Sequence, residues 1–518
     1  MNKVFYITTP IYYVNDTPHI GHSYTTIACD VLSRYQRLNG RETYFLTGTD
    51  EHGQKVSQAA KAAGKEPQQL VDEVVEKYKA MWKALNIGND DFIRTTDPRH
   101  EKVVQKLFAD LHAKGDIYPG QYEGWYCVPC ETFYLETQIE KGLCPDCGRP
   151  LEKLKENTYF FRMSKYQDQL LAYIESHPDF VQPLGRYHEI VNFVKSGLRD
   201  LSVSRPRSRI GGWGIACPFD QEQVIYVWFD ALLNYISAPG YGIEPERFGR
   251  VWPADVQVIG KDILKFHAII WPALLLAAGI ELPKKIFAHG WWTIAGEKMS
   301  KSRGNVVDPL KISAQFGVDS YRYFLLREVP FGQDGDFSET ALSARYQADL
   351  ANNLGNLLNR TLTMLEKYFA GIVPDPAPGR KTDETLTRLA QALPARIEQH
   401  LSELAFSLAL ERIWEIIDAA NRYIENKAPW KLAKTDKEEL AAVLYNLVDI
   451  LRLVAVYLSP FMPKISQLMW EQLGLPGTPA ELEITKTSLN QFPGKTRILK
   501  GQPLFPKLEI NEEGARCS

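Results

Sequence analysis

A parallel-sheet α/β half followed by an all-α helical half is the fold class that this 518-residue sequence predicts. Three observations carry it. Apolar, β-branched runs alternate with helix-period stretches up to about residue 115 and again from about residue 224, the pattern of βαβ units. Between them, residues 116–223 turn to short Tyr-, Trp- and Gly-rich segments holding two Cys-x-x-Cys pairs, an insertion that splits the sheet. Beyond about residue 345 strand signals nearly vanish and long amphipathic helices take over.

Taken in order, "KVFYITTPIYYV" and "ETYFLTG" read as strands, and 19–38, 68–85 and 98–114 as helices. "VIYVWFDALLNYI" and "ADVQVIGKDILKFHAIIWPALLLAAG" resume the alternation, followed by "KKIFAHGWWTIAG". In the helical half, "TDKEELAAVLYNLVDILRLVAVYL" opens with Thr435-x-x-Glu438, a capping-box pattern. The segment "GIVPDPAPG" reads as a loop between bundle helices. Five segments are expected: 1–115, 116–223, 224–295, 296–345 and 346–518.

Composition is ordinary for a globular chain, with 45% hydrophobic and 24% charged residues. A net charge of −3 gives no overall attraction for a polyanion, which local basic patches must therefore bind. The longest apolar run, "AIIWPALLLAAGI", carries Pro272 and is too short to span a bilayer, and "MNKVFYITTP" lacks a secretory h-region. No membrane partner is expected, and the expected compartment is the cytoplasm.

The stretch "TPHIGHSYTTIACD" poses the first chemical question. The strand before it ends near Val14, and Asp16 or Thr17 offers an N-cap with Pro18 as the first helical residue. His19 and His22 then fall in the first helical turn at the carboxyl end of a parallel strand, where free N–H groups and the positive helix end favour phosphate. Two imidazoles at i and i+3 add donors, and Gly21 leaves room for a bulky ring on the backbone. On spacing alone, two surface histidines on a capped helix fit equally well. A metal pair lacks a carboxylate partner nearby. In "GEKMSKSRGN", Lys298, Lys301 and Arg303 form a cationic arm suited to a departing polyphosphate, although such a loop by itself is more often solvated surface.

"CVPCETFYLETQIEKGLCPDC" gives Cys127-x-x-Cys130 and Cys144-x-x-Cys147. Two such pairs with Pro and Gly in the turns fit one structural, tetrahedral zinc site with four cysteine ligands, a zinc knuckle; a redox pair would need only one motif at a helix start. Cys29, Cys217 and Cys517 have no partner by spacing.

"HIGH" at the first strand–helix turn combined with "KMSKS" beyond the split sheet resembles the class I aminoacyl-tRNA synthetases. "TPIYYVNDTPHIGH", "GTDEHG", "YVWFDALLNYI", "GKDILKFH" and "AHGWWTIAGEKMSKSRGN" resemble the methionyl-tRNA synthetases in order and spacing, over essentially the whole chain. The gap between the signatures is too short for the large editing domain of the leucine, isoleucine and valine enzymes. No ligands match the active-site zinc of the cysteine enzyme.

The resemblance implies a Rossmann-type catalytic domain split by the zinc-knuckle insertion, then an α-helical anticodon-binding domain. It implies ATP binding by His19, Gly21, His22, Lys298, Ser300 and Lys301, with His19, His22, Lys298 and Lys301 catalytic and Mg2+ accompanying the nucleotide. By position, the methionine pocket maps onto Ile11, Tyr13, Trp228, Tyr235 and His289. Asp50 receives the substrate ammonium, and Arg205 and Asp262 form a charged pair lining the same cavity. Pro10 and Leu232 stand where members vary. In "LANNLGNLLNR", Asn352, Asn356 and Arg360 share one helix face, and with Trp430, which follows a helix ended by Pro429, they match the anticodon readers. Taken without the resemblance, the same residues read as a polar outer face and a buried tryptophan. The implied partners are ATP, L-methionine and tRNA(Met), initiator included. The early end after the bundle suggests a monomer. The rivals are a small-molecule nucleotidyltransferase and a non-catalytic tRNA-binding protein. Neither accounts for the helical half, the cysteine pairs and both intact signatures together.

Overall fold

The computed structural model describes residues 3–14, 17–128, 132–134, 139, 142–145, 148–298, 306–375, 383–506, 508–511 and 514–517. Two compact units make up the chain. The first comprises Met1–Pro18, Thr43–Trp82 and Asn89–His289, the second His19–Glu42, Lys83–Gly88 and Gly290–Ser518.

The first unit is organised by a six-stranded sheet: β1 (Phe5–Tyr13), β2 (Thr43–Asp50), β3 (Asp91–Arg94), β4 (Val181–Gln182), β5 (Val256–Gly260) and β6 (Ile286–His289). Its order is β3-β2-β1-β5-β6-β4, with every pair parallel. β1, β2, β5 and β6 are buried along nearly their whole length, as strands covered on both faces are. Strand order reverses between β1 and β5, the switch point where such sheets leave a ligand crevice beyond their carboxyl ends. The backbone N–H of Tyr6 donates to Asp255 at 2.8 Å beside that junction.

The stretch expected to be wholly inserted builds a separate antiparallel hairpin, Ile117–Cys127 against Glu152–Phe161. It also returns one strand to the main sheet, because β4 pairs with β6. At two residues, β4 is too short to show any periodicity.

In the second unit, the helix Ile20–Leu38 is bolted to the helix Val318–Arg327. The Ser23 and Tyr321 hydroxyls lie 2.7 Å apart, and Arg322 reaches Asp30 at 2.6 Å. Arg322 is fully buried and donates also to the carbonyls of Leu85, Pro460 and Phe461, so the charge is neutralised and its donors are used. The bundle follows, with helices Asn356–Phe369, Glu384–Ser402, Phe406–Lys427 and Lys437–Leu458. The last is the one helix among the described residues long and apolar enough to cross a membrane, but 94% of that stretch is buried inside the protein.

Two local expectations are corrected here. Asp436, not Thr435, caps Lys437–Leu458: its carboxylate accepts from the N–H groups of Glu438 and Glu439 and complements the positive helix end. Pro429 does not end a helix but opens one. The preceding helix stops at Ala428, in the left-handed region at φ 43°, and Pro429 is the first residue of Pro429–Thr435, where its missing N–H costs nothing.

Candidate active site

Four candidate residues stand at the carboxyl edge of the main sheet. Tyr13 and Asp50 are register partners at the ends of β1 and β2, and His289 ends β6 opposite Gly260 of β5. Asp262 follows in a single 3-10 turn. A Cβ on Gly260 would fall 2.6 Å from Asp262 Oδ1 and 4.0 Å from His289 Cε1. Only glycine lets that carboxylate fold back against the strand beside the imidazole.

An apolar wall adjoins them in the same core. Trp228 stacks on Phe266 with ring centroids 3.7 Å apart and planes 12° from parallel. Its indole N–H is buried and lacks a hydrogen-bond partner among the described residues. Ile11, Trp228, Ile263 and Phe266 pack on the cluster that contains Tyr235. The Tyr235 hydroxyl lies 2.7 Å from His267 Nε2, while His267 Nδ1 lies 2.9 Å from the carbonyl of Ile263. A carbonyl only accepts, so Nδ1 carries the proton and Nε2 accepts from the tyrosine. Burial pushes the His267 imidazole down to about 4, leaving it neutral. The sequence reading passed over His267. Its signal was "KFH" within "GKDILKFH", which lies at the start of a π-helical turn, Phe266–Ile270.

Arg205 is held by Ser202 Oγ at 2.9 Å and by the carbonyl of Ser204, with its guanidinium 4.4 Å from the centre of the Tyr226 ring. Glu156 is an ion-pair partner of its guanidinium, at 3.9 Å. It lines a small cavity with His52, Tyr126 and Trp213.

In the second unit, the histidine pair makes its own cap. His19, not Asp16 or Thr17, is the N-cap of Ile20–Leu38, so the helix begins beyond Pro18. His19 Nδ1 accepts from Gly21 N–H at 3.1 Å, and His22 Nδ1 accepts from His19 N–H at 3.0 Å, a capping box built from two imidazoles. The rings lie 4.0 Å apart. A Cβ on Gly21 would meet the His19 ring at 3.0 Å, so the room that Gly21 provides is taken by this ring. Burial, helped by His19, holds the His22 imidazole well below its usual range.

Lys298 ends a short hairpin, with Thr293 as its register partner. Asp336 fastens the turn by accepting from Gly296 N–H and the Thr293 hydroxyl. These bonds hold its carboxyl below the usual range. Ser300, Lys301 and Arg303 lie outside the described residues.

On the bundle, Asn352 and Asn356 are exposed, and Arg360 pairs with Glu425 at 2.7 Å. Between the two exposed amides, Asn353 turns inward to Asp418 and Asn421. Trp430 is 39% exposed, which removes the buried-tryptophan reading.

Cys127 and Cys144 are buried in one small core with Tyr134 and Leu151; Cys130 and Cys147 lie outside the described residues. Cys29 and Cys217 are buried, and burial pushes both thiols up, away from reactive thiolates. The side chain of Cys517 lies outside the described residues.

Comparison with known proteins fixes the class. Residues 5–153 and 149–362 match the family of class I tRNA synthetases (M), and residues 373–515 match the anticodon binding domain of methionyl tRNA ligase. The chain is 53% identical to methionine–tRNA ligase of Caldanaerobacter subterraneus and 50% identical to that of Halalkalibacterium halodurans, each over 99% of this chain and 80% of the relative. It superposes on Mycobacterium tuberculosis methionyl-tRNA synthetase in complex with methionyl-adenylate with a TM-score of 0.93 and 43% identity, covering 98% of this chain and all of that one. The fold and the signature sequences are those of a class I aminoacyl-tRNA synthetase. Within that class, the chain belongs to the methionine–tRNA ligase family.

Proposed function

We propose that the residues described above divide the work of methionine–tRNA ligation between a methionine pocket, a phosphate-handling turn and hairpin, and an anticodon-reading face. The reaction is the ATP-dependent one of the family. The methionine carboxylate attacks the α-phosphorus, pyrophosphate leaves, and a terminal ribose hydroxyl of tRNA(Met), initiator included, takes the methionyl group. Positioning and charge neutralisation dominate, because little covalent chemistry falls to the protein.

The observation that carries this reading is the gathering of Tyr13, Asp50, Asp262 and His289 at the carboxyl ends of adjacent parallel strands around the switch point. Asp50 receives the ammonium group. Ile11, Tyr13 and the Trp228–Phe266 stack supply the polarizable wall a thioether prefers. The Tyr235–His267 pair adds a neutral hydrogen-bonded group beside that wall. Arg205 contributes positive charge to the same unit.

His19 and His22 bind ATP phosphates through Nε2–H, since both Nδ1 atoms accept backbone N–H groups. Gly21 admits the His19 ring, and Lys298, Ser300 and Lys301 neutralise the departing pyrophosphate. Mg2+ accompanies ATP. Asn352, Asn356, Arg360 and Trp430 read unstacked anticodon bases. A four-cysteine zinc site of Cys127, Cys130, Cys144 and Cys147 would add folding energy rather than chemistry; the burial of Cys127 and Cys144 in one core supports it. The cytoplasm is the proposed compartment, supported by the placing of four of the seven cysteines in two Cys-x-x-Cys pairs.

ATP–pyrophosphate exchange measured with each of the twenty amino acids tests the reading. Exchange with methionine alone is expected; exchange driven by another amino acid, or none with methionine, overturns it.

A further inference from the structure

One buried carboxylate in the first unit is used by nothing described so far. Asp230 is fully buried on the helix Val227–Leu232. Its Oδ2 lies 2.7 Å from His52 Nδ1 and its Oδ1 lies 2.7 Å from His100 Nε2. The other nitrogen of His100 lies 2.7 Å from the Ser237 hydroxyl. Both imidazoles donate to the carboxylate, because an ionised carboxylate only accepts. Burial pushes the Asp230 carboxyl up, but the His52 and His100 rings outweigh it and leave it ionised, below the usual range. The His52 ring is closed off by Trp213, edge-on at 5.5 Å, whose indole N–H donates to the carbonyl of Glu51.

The places that this network ties together are not arbitrary. His52 comes two positions after Asp50, Asp230 two after Trp228, and Ser237 two after Tyr235. Three of the candidate methionine contacts are thus each followed, two positions on, by a member of one hydrogen-bonded cluster. The helix Pro98–Ala113 supplies His100 as the fourth corner. The cluster joins the residues just beyond β2 to the helix Val227–Leu232 and to the short helix Asn234–Ser237 that follows it.

We propose that Asp230, clamped between His52 and His100, is a positioning residue that fixes the mutual spacing of Asp50, Trp228 and Tyr235 and so sets the affinity for methionine. The proposal rests on the pocket reading above. Losing one clamp leaves a buried charge half satisfied, so the helix carrying Trp228 and the strand end carrying Asp50 shift to regain a partner. A displacement of about 1 Å is enough to cost a binding or catalytic constellation roughly 10²-fold.

The test is ATP–pyrophosphate exchange with separate KM values for methionine and ATP, alongside thermal melts. His52→Ala is expected to raise the methionine KM by roughly 10- to 100-fold and leave the ATP KM within about twofold. His52→Gln, whose amide N–H can reach Asp230, restores the methionine KM to within about threefold of native. Asp230→Asn resembles His52→Ala, because an amide oxygen accepts but its nitrogen cannot. If Asp230→Asn fails to fold, the Ala and Gln pair at His52 still decides. A His52→Ala protein with a lower Tm but an unchanged methionine KM overturns the proposal, as does an equal rise in both KM values or a Gln variant that rescues nothing. Trp228→Ala separates the two readings. If it raises the methionine KM while His52→Ala does not, the network proposal falls and the pocket stands; if it changes nothing, the pocket assignment falls first.

Discussion

His22 Nδ1 accepts the backbone N–H of His19, so the second histidine of the signature holds the start of the helix in addition to the phosphate contact proposed for it. The two jobs use different ring atoms, and substitutions can separate them. Asn at position 22 keeps an acceptor near Nδ1 and loses the Nε2 donor; Gln keeps a donor near Nε2 and loses the cap. His22→Asn should therefore melt near native but form adenylate slowly. His22→Gln should lose about 1 kcal/mol of stability, the value of a cap, yet retain more activity. Melts and single-turnover rates check this, and the reverse ranking would sink it.

The same geometry sets a pH dependence. His22 has a folded pKa below its unfolded value of about 6.5. Its stabilising contribution is thus complete above that value and is lost as pH falls from about 6.5 towards the folded pKa. Tm should decline over that acid range in the native protein, and more weakly in His22→Asn, while adenylate formation by the folded protein should hold until the pH approaches the lowered folded pKa.

Lys298→Ala should lower the rate of adenylate formation by roughly 10²–10³-fold, the loss typical of one electrostatic stabiliser. Methionine affinity should barely move, and transfer from preformed adenylate should suffer less, because pyrophosphate has already left. Pre-steady-state rates decide. A variant that forms adenylate normally and fails in transfer removes the phosphate role.

The proposed zinc is checked by elemental analysis. Native protein should carry one equivalent, and Cys127→Ser or Cys144→Ser should lose it and loosen the hairpin module. Carefully purified native protein without zinc would end this assignment.

Much of the candidate site was legible because its signals are local. The register pair Tyr13 and Asp50, the paired histidines and both signatures each sit within a few residues of a strand end or helix start. Residues joined across the chain left no such trace. His52 and His100 reach Asp230 over sequence separations of 178 and 130, which no period or spacing reveals. His267 hid inside an apolar run, where a satisfied core histidine is the ordinary reading. β4 was too short to announce itself. The caps at His19 and Asp436 were missed because neighbouring residues carried equally good capping chemistry, and only backbone geometry chooses between them.

Trp430 offers a clean separation of binding from chemistry. It stands 39% exposed at the start of its helix, so truncation empties no core. Trp430→Ala should weaken charging of full-length tRNA by the roughly 1–3 kcal/mol of one stacked base, with methionine-dependent pyrophosphate exchange near normal. Equal damage to both reactions would return it to a structural role.

The strand order of the main sheet also sets a timetable for synthesis. One neighbour of β1 is made soon after it, but the other, β5, lies far downstream: the Tyr6–Asp255 bond beside their junction spans 249 residues. At about 5–20 residues per second, the ribosome needs roughly 12–50 s to cover that distance. Throughout that interval the nascent chain carries "FYITTPIYY" with one row of backbone groups unpaired, an apolar edge of the kind that recruits other chains. The finished sheet hides this edge completely, so the hazard belongs to birth alone, and it falls to whatever shields the emerging polypeptide at the tunnel exit.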